Sequence, residues 1–242
     1  MIKKKILVFQ HVEIEDLALF GKLFFTKGFE IEYVRLFDGE KIPFNLENYV
    51  AMISLGGSMD TWMIEKYPWI LDEKNAIRRF VVDMNKPFIG LCLGCQLLAE
   101  VLGGKVIKSK VPEIGFSEIN FSRLANKDKI FKLFPKNITV FQWHNFEVTN
   151  LDEKKNNILA SSKMVPVQLF RYKKKAYGIQ FHLELENETI SKWLDDEIYK
   201  KNFEENFGKN SLTKVLRQQK IYIKKLNTFC ELFFSEFKKN FL

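Results

Sequence analysis

Short apolar segments in the first hundred residues, separated by segments of helical periodicity, most constrain what this chain can fold into. Apolar residues fill successive positions in each segment, which is typical of strands buried on both faces of a sheet. The predicted strands are Lys5–Phe9, Glu30–Leu36, Val50–Leu55 and Pro87–Leu91. Between them, "EIEDLALFGKLFFTKG" and "YPWILDEKNAIRRFVVDMN" have the spacing of amphipathic helices. This alternation predicts right-handed crossovers and an α/β fold with a mostly parallel central sheet flanked by helices.

The chain beyond Gly104 is richer in predicted β structure and then becomes helical. The segments "KVIKS", "FSEINFS", "ITVFQW", "VPVQLFRY" and "AYGIQFH" predict added strands that end near residue 182. From Glu186 onward the pattern is helical, and the last long helix has one apolar stripe. The stripe consists of Leu216, Ile223, Leu226, Phe229, Leu232, Phe233 and Phe237. We expect a catalytic domain over residues 1–185 and a C-terminal helical extension over 186–242 packed on the same domain. A homodimer contact is the alternative explanation of the stripe.

Charge and composition exclude several classes of function. The net charge is +8, but the basic residues form short scattered runs without interleaved aromatic residues, so we expect solvated lysines and no nucleic-acid surface. No window approaches the roughly 18 consecutive apolar residues of a membrane helix, and the first apolar run is too short for a signal peptide. Three cysteines without a secretion signal suit a reducing compartment. We therefore expect a soluble cytoplasmic protein that does not bind membranes.

Cys92 and Cys95 lie three residues apart and raise the question of a metal or redox pair. A structural zinc site needs four ligands, usually in closely spaced pairs. The remaining candidates are far apart in the sequence: Cys230, His11, His144 and His182. No metal site is therefore expected. A redox pair is an alternative, because such a pair also follows a strand and opens a helix.

The glycines around Cys92 favour a different interpretation, a single nucleophile. Gly90 and Gly94 flank Cys92 in a Gly-x-Cys-x-Gly sequence between a predicted strand and a predicted helix. This is the arrangement of a nucleophile elbow, in which glycines stand where a Cβ atom would collide with a neighbouring strand or helix. The N-terminus of the following helix favours an anion, and so favours the reactive thiolate. Cys95 lies one turn further on and lacks that position.

A catalytic cysteine needs a base and a group that orients the base. His182 and Glu184 are two residues apart on a predicted extended segment, so their side chains project to the same face. Glu184 is then placed to hold the imidazole and to stabilise its charged form. The amide of Leu93 and the Gly56–Gly57 turn after another strand are candidate donors for an oxyanion hole.

Together these segments resemble the class I glutamine amidotransferases. The elbow appears as "GLCLGCQ" and the base and acid as "FHLE", while "SLGGSMD" and "VPEIGFSEI" resemble further family segments. "FQWHNFEV" stands where family members have a loop that touches the substrate glutamine. The resemblance covers roughly residues 5 to 185 and is strongest to stand-alone proteins related to the amidotransferase domain of GMP synthase. It implies a flavodoxin-like α/β fold.

The resemblance also assigns roles to residues of this chain. The implied catalytic triad is Cys92, His182 and Glu184, with oxyanion donors at Gly57 and Leu93. The implied substrate contacts are Gln96, Ser58, Asn145 and Phe146. The chain departs from the family at Leu183, where proline is usual, and at Cys95, where histidine is frequent. Leucine is expected to loosen the geometry between base and acid while keeping their spacing.

The activity implied by the resemblance is hydrolysis of the γ-amide of glutamine or of another γ-glutamyl compound through a Cys92 thioester. No metal or organic cofactor is expected. The residues after Glu186 are too few for an ATP-using synthetase, and the sequence has no phosphate-binding Gly-x-x-x-x-Gly-Lys-Ser/Thr segment. We therefore expect a stand-alone hydrolase or, as alternatives, an ammonia-supplying component of a separate synthetase or a catalytically weak regulatory protein that binds glutamine.

Overall fold

Parallel strands form one half of a central sheet. In the computed structural model, which describes residues 3–208 and 212–242, the strands form one nine-stranded sheet. Its parallel half has the order β2-β1-β3-β4-β9. These strands are β1 (Lys5–Gln10), β2 (Glu30–Arg35), β3 (Tyr49–Ser54), β4 (Phe88–Leu91) and β9 (Ala176–Ile179). The helices between them are α1 (Ala18–Thr26), α2 (Trp69–Ile77) and α3 (Leu93–Val101), and α2 continues into a π-helical turn over Arg78–Asp83.

The other half of the sheet is antiparallel and continues from β9 in the order β8-β7-β5-β6. Its strands are β5 (Lys105–Phe121), β6 (Asn137–Thr149), β7 (Asn156–Ser162) and β8 (Leu169–Tyr172). The prediction of an α/β fold with a parallel sheet, flanking helices and added strands is therefore confirmed. Two predicted strands are one long strand, β5, whose pairing register shifts between Lys108 and Glu113. The segment "FQWHNFEV", compared with a loop of the family, lies within β6.

The C-terminal extension packs on this sheet through three helices, α4 (Thr189–Asp195), α5 (Glu197–Phe207) and α6 (Leu212–Phe241). The apolar stripe of α6 contacts the core of its own chain: the ring of Phe233 lies 5.6 Å from Phe20 of α1, and the ring of Phe229 lies 5.6 Å from Phe134. Leu216 and Leu232 are only partly buried but pack against the same core. Burial of this stripe thus accounts for its apolar character within one chain.

Within the described ranges, no helix combines the length and the apolar composition needed to cross a bilayer.

Candidate active site

Cys92 occupies a sharp turn between β4 and α3. Its backbone has φ 49° and ψ −101°, a conformation that L-residues rarely adopt and that costs roughly 1–3 kcal/mol. The Cys92 amide donates to the Ile179 carbonyl of β9 at 2.8 Å. A Cβ atom at Gly90 would lie 2.4 Å from the Gly94 carbonyl oxygen, and one at Gly94 would lie 2.2 Å from the Ser54 carbonyl oxygen. Both glycines are therefore required by close packing, as the sequence predicts.

The segment that follows β9 brings a histidine and a glutamate to Cys92. His182 pairs with Phe141 of β6 through its backbone, and its amide donates to the Phe141 carbonyl at 2.8 Å. Its Nδ1 lies 2.6 Å from Glu184 Oε1. The Cys92 side chain lines the same pocket as the His182 ring and lies close enough to raise the pKa of that ring. The structure thus brings together the three residues predicted as a triad, and all are buried.

Leu183 contributes to this arrangement in a way that the sequence comparison did not suggest. Its amide donates to Glu184 Oε2 at 2.9 Å, so the carboxylate is held from both sides, by this amide and by His182. Proline has no N–H and could not form this bond. The Leu183 amide thus restrains the acid directly, and the expectation that leucine loosens the geometry relative to proline stays a prediction.

Electrostatics favour the protonated form of His182. Burial by itself opposes the charged ring, but the Glu184 carboxylate and the Cys92 side chain outweigh burial and raise the pKa of His182 well above its ordinary value. An imidazole that holds its proton next to a cysteine is suited to stabilise a thiolate and to protonate a departing nitrogen.

The two predicted oxyanion donors lie beside Cys92 in one pocket. Leu93 is the first residue of α3, so its amide has no acceptor within the helix. Gly57 follows β3, and a Cβ atom there would lie 2.9 Å from the Cβ of His11 and 3.1 Å from a methyl carbon of Leu93. The turn is held from behind, because Nδ1 of His11 donates to the Gly56 carbonyl at 2.8 Å.

The four predicted substrate contacts line the same pocket, namely Gln96, Ser58, Asn145 and Phe146. The Gln96 side chain donates to Gln180 Oε1 at 3.2 Å, and the Gln180 amide nitrogen lies 3.7 Å from the Cys92 sulfur. The structure therefore places all of them within one site, and their contact with substrate stays a prediction. Gln180, which bridges Gln96 and Cys92, was not found by sequence reasoning.

Sequence reasoning also missed the upper wall of the pocket. Trp193 of α4 and Ile198, Tyr199 and Asn202 of α5 line it, together with Glu15 from the loop after β1. We call these α4 and α5 residues the roof of the pocket. Glu15 could have been found from the sequence, because it follows β1 and ligands of α/β sheets bind beyond the carboxyl ends of strands. The roof residues could not have been found in this way, because nothing in their local sequence indicates which distant surface they cover.

Glu15 connects the roof to the rest of the site. The Tyr199 hydroxyl donates to Glu15 Oε1, and the other carboxylate oxygen packs against Gly56, where a Cβ atom would lie 2.1 Å from it. Burial raises the pKa of Glu15, and nearby His182 partly offsets that increase. Burial and the neighbouring Glu15 raise the pKa of Tyr199. The phenol therefore keeps its proton and acts as the donor.

Cys95 lies outside this pocket, in the apolar cluster between α3 and the sheet. It is fully buried, and burial followed by the proximity of Cys92 raises its pKa well above the ordinary value. Cys92 and Cys95 are both free thiols. A redox pair would need a reactive thiolate at one of the two positions, and the surroundings of Cys95 disfavour it. No group of three or more potential metal ligands occurs in the parts of the chain that the structure describes.

An α/β sheet that presents a strained cysteine at a strand–helix junction, beside a buried histidine–glutamate pair, has the arrangement that cysteine-dependent acyl-transfer enzymes use. The family model described as glutamine amidotransferase class-I matches residues 26–203, and the chain belongs to this family.

Relatives within the family differ in how much of the chain they match. The chain is 29% identical over 197 residues to gamma-glutamyl peptidase 4 of Arabidopsis thaliana, covering 80% of this chain and 77% of the relative. It is 35% identical over 118 residues to the glutamine-hydrolyzing GMP synthase subunit of Thermoplasma acidophilum, covering 48% of this chain and only 57% of that protein. The crystal structure of a glutamine amidotransferase from Thermotoga maritima superimposes with a TM-score of 0.86 at 30% identity, covering 98% of this chain and 99% of the other.

Proposed function

We propose that this chain hydrolyses the γ-amide of glutamine or of another γ-glutamyl compound, releasing ammonia or an amine and glutamate. The observation that carries the proposal is the strained Cys92 in one pocket with a buried His182, whose Nδ1 lies 2.6 Å from Glu184. Membership in a family of glutamine amidotransferases supports the choice of substrate class.

The first half of the proposed reaction transfers the γ-glutamyl group to sulfur. The Cys92 thiolate attacks the amide carbon, and a C–S bond forms while the carbonyl becomes an oxyanion. The amides of Leu93 and Gly57 stabilise that charge, each donor contributing on the order of 3 kcal/mol. His182 then gives its proton to the nitrogen, and the C–N bond breaks with loss of ammonia or amine.

The second half restores the enzyme. His182, now neutral, takes a proton from water, and the resulting hydroxide attacks the thioester carbon. The C–S bond breaks, glutamate leaves, and the proton on His182 again faces a Cys92 thiolate. Glu184 keeps the ring oriented and stabilises its positive charge in both halves. The cycle needs neither a metal nor an organic cofactor.

We further propose that the chain acts alone. Its own C-terminal helices supply Trp193, Ile198, Tyr199 and Asn202 to the pocket, so one wall that a separate synthetase could provide is built from this chain. The peptidase relative matches over most of both chains, which supports the same choice. Supply of ammonia to a synthetase is the second candidate, and it is favoured by the higher identity to the GMP synthase relative over the shorter match. A homodimer and a cytoplasmic location remain proposals from the sequence.

A product assay tests these proposals. The purified chain is incubated with glutamine and with γ-glutamyl dipeptides, and glutamate release is compared with that of Cys92→Ala. Release by the parent chain alone supports the hydrolase. If the γ-glutamyl thioester is formed, mass spectrometry of acid-quenched samples detects it on Cys92. Glutamate release only after addition of cell extract would instead favour a missing synthetase, and no Cys92-dependent release under either condition would refute the proposed chemistry.

A further inference from the structure

Three buried polar atoms without a hydrogen-bond partner lie together at the pocket beside Cys92. Among the described residues, Asn145 Oδ1, Trp193 Nε1 and Asn202 Oδ1 are buried without a hydrogen-bond partner, and all three side chains line this pocket. Asn145 comes from β6, whereas Trp193 and Asn202 belong to the roof. Buried polar groups without partners are rare in folded proteins and costly, so a cluster of them in a pocket indicates that a ligand supplies the partners.

The position of Trp193 identifies which part of a substrate it would meet. Its ring packs edge-on against the ring of His182, with centroids 4.9 Å apart and planes at 70°. Trp193 is only 3% exposed. In the proposed reaction His182 protonates the departing nitrogen, so a side chain packed on His182 lies on the side of the leaving group.

The roof is held in place by contacts of its own. Asp196 caps α5 by accepting from the amides of Ile198 and Tyr199 at 2.8 and 3.2 Å. Tyr199 donates to the buried Glu15, and Asn202 follows three residues later on the same face of the helix. Asn202 is therefore presented to the pocket from an anchored helix.

We propose that Trp193 and Asn202 form a leaving-group subsite that selects γ-glutamyl amides whose amine portion carries a carbonyl or carboxylate oxygen. The Nε1–H of Trp193 donates to that oxygen, and Asn202 Oδ1 accepts from the N–H of the scissile amide. Glutamine has no such oxygen on its leaving group, which is ammonia. The preferred substrates are thus γ-glutamyl peptides, an inference that rests on the proposed hydrolase function.

A series of substrates tests the subsite on the unmodified protein. We expect kcat/KM for γ-glutamylglycine and γ-glutamylglycinamide to exceed that for γ-glutamylethylamide, which lacks the acceptor oxygen, by about tenfold or more. Comparison of the first two substrates separates a carboxylate from a neutral carbonyl. Equal values for all three amides would overturn the subsite, and Cys92-dependent hydrolysis of glutamine would then still support the hydrolase. Absence of Cys92-dependent release from every substrate would refute both.

Substitutions test which residues of the subsite cause this substrate preference. Trp193→Phe keeps an aromatic ring against His182 but removes Nε1–H, so the ratio of kcat/KM for γ-glutamylglycinamide to that for γ-glutamylethylamide is expected to fall about tenfold. The matched control is Trp69→Phe, because Trp69 stacks on His11 and is not part of the pocket wall. Asn202→Leu is expected to lower kcat/KM for both amides and to leave their ratio intact. A Trp193→Phe protein that retains the parent ratio contradicts the assignment.

Discussion

The described residues contain three buried histidine–glutamate pairs. Two of them are hydrogen-bonded and lie in different regions of the molecule, and one of these two adjoins a nucleophile. His182 and Glu184 are 2.6 Å apart beside Cys92, whereas His11 and Glu73 are 2.9 Å apart behind the Gly56–Gly57 turn. Burial opposes the charged ring in both cases, and the neighbouring carboxylate outweighs burial and raises the pKa of each histidine. Distance and charge are therefore similar in the two pairs.

In each pair one nitrogen of the histidine ring contacts the glutamate. The pairs differ in what the other ring nitrogen faces. Nδ1 of His11 donates to the Gly56 carbonyl, and Glu73 also accepts from the Ser54 hydroxyl at 2.7 Å. Both ring nitrogens of His11 face acceptors, which favours the charged ring and links the residue after β1 with the turn and α2. The remaining side of His182 faces Cys92. A buried histidine–glutamate pair is thus structural or catalytic according to what its second nitrogen meets.

The largest effect is expected for loss of the nucleophile, which should remove activity without destabilising the fold. Cys92→Ala is expected to lower kcat for glutamate release by at least about 10⁴-fold, because no thioester can form. The thermal midpoint should not decrease, since the side chain is small and the backbone is set by the flanking glycines. Circular dichroism melting together with a glutamate assay checks both points. Activity above about 1% of the parent value would contradict the role of Cys92.

The next effect concerns the catalytic pair. Glu184→Gln is expected to lower kcat/KM by about 10² to 10⁴-fold. Because Glu184 raises the pKa of His182, its loss should also move the alkaline limb of the pH–kcat/KM profile to lower pH, where the imidazolium would now deprotonate. Besides Glu184, the charged or titratable groups near the ring are Cys92 and Glu15. An unshifted alkaline limb would indicate that another proton sets it.

A smaller effect is expected at the structural pair of His11 and Glu73, where a substitution should change stability more than activity. Glu73→Gln removes the carboxylate that favours the charged form of the buried His11 ring, which should lower the free energy of unfolding by about 3 kcal/mol. Because the pKa of His11 is raised above its ordinary value of 6.5, this stabilisation is fully present below pH 6.5 and is lost as the pH rises through the folded-state pKa. Urea unfolding at several pH values measures it. If stability were unchanged and kcat/KM fell as far as in Glu184→Gln, the distinction between the two pairs would fail.

The smallest effect is expected at Cys95. Cys95→Ala removes a buried sulfur from the apolar cluster and should lower the free energy of unfolding by about 1–2 kcal/mol. The rate of glutamate release should stay within about threefold of the parent value, because the proposed cycle does not use this thiol. A loss of activity comparable to that of Cys92→Ala would revive the redox alternative.

The parts of this molecule that could be predicted from sequence are those in which neighbours along the chain determine the structure. The parallel strands follow from local apolar runs, and the elbow follows from Gly90 and Gly94, which flank the cysteine that it presents to the pocket. β7 escaped prediction because its segment "NNILASS" is polar and only partly buried, so pairing with β5 and β8 decides it. The roof escaped because Trp193 and Asn202 reach the pocket only through tertiary packing.

The unusual backbone conformation of Cys92 means that stability and catalysis favour different residues at this position. The turn that presents the sulfur to the pocket holds an L-residue in a backbone conformation that glycine adopts with less strain, so folding alone would favour replacement of the nucleophile. A library of variants selected only for resistance to heat should therefore drift toward glycine at this position and lose its chemistry.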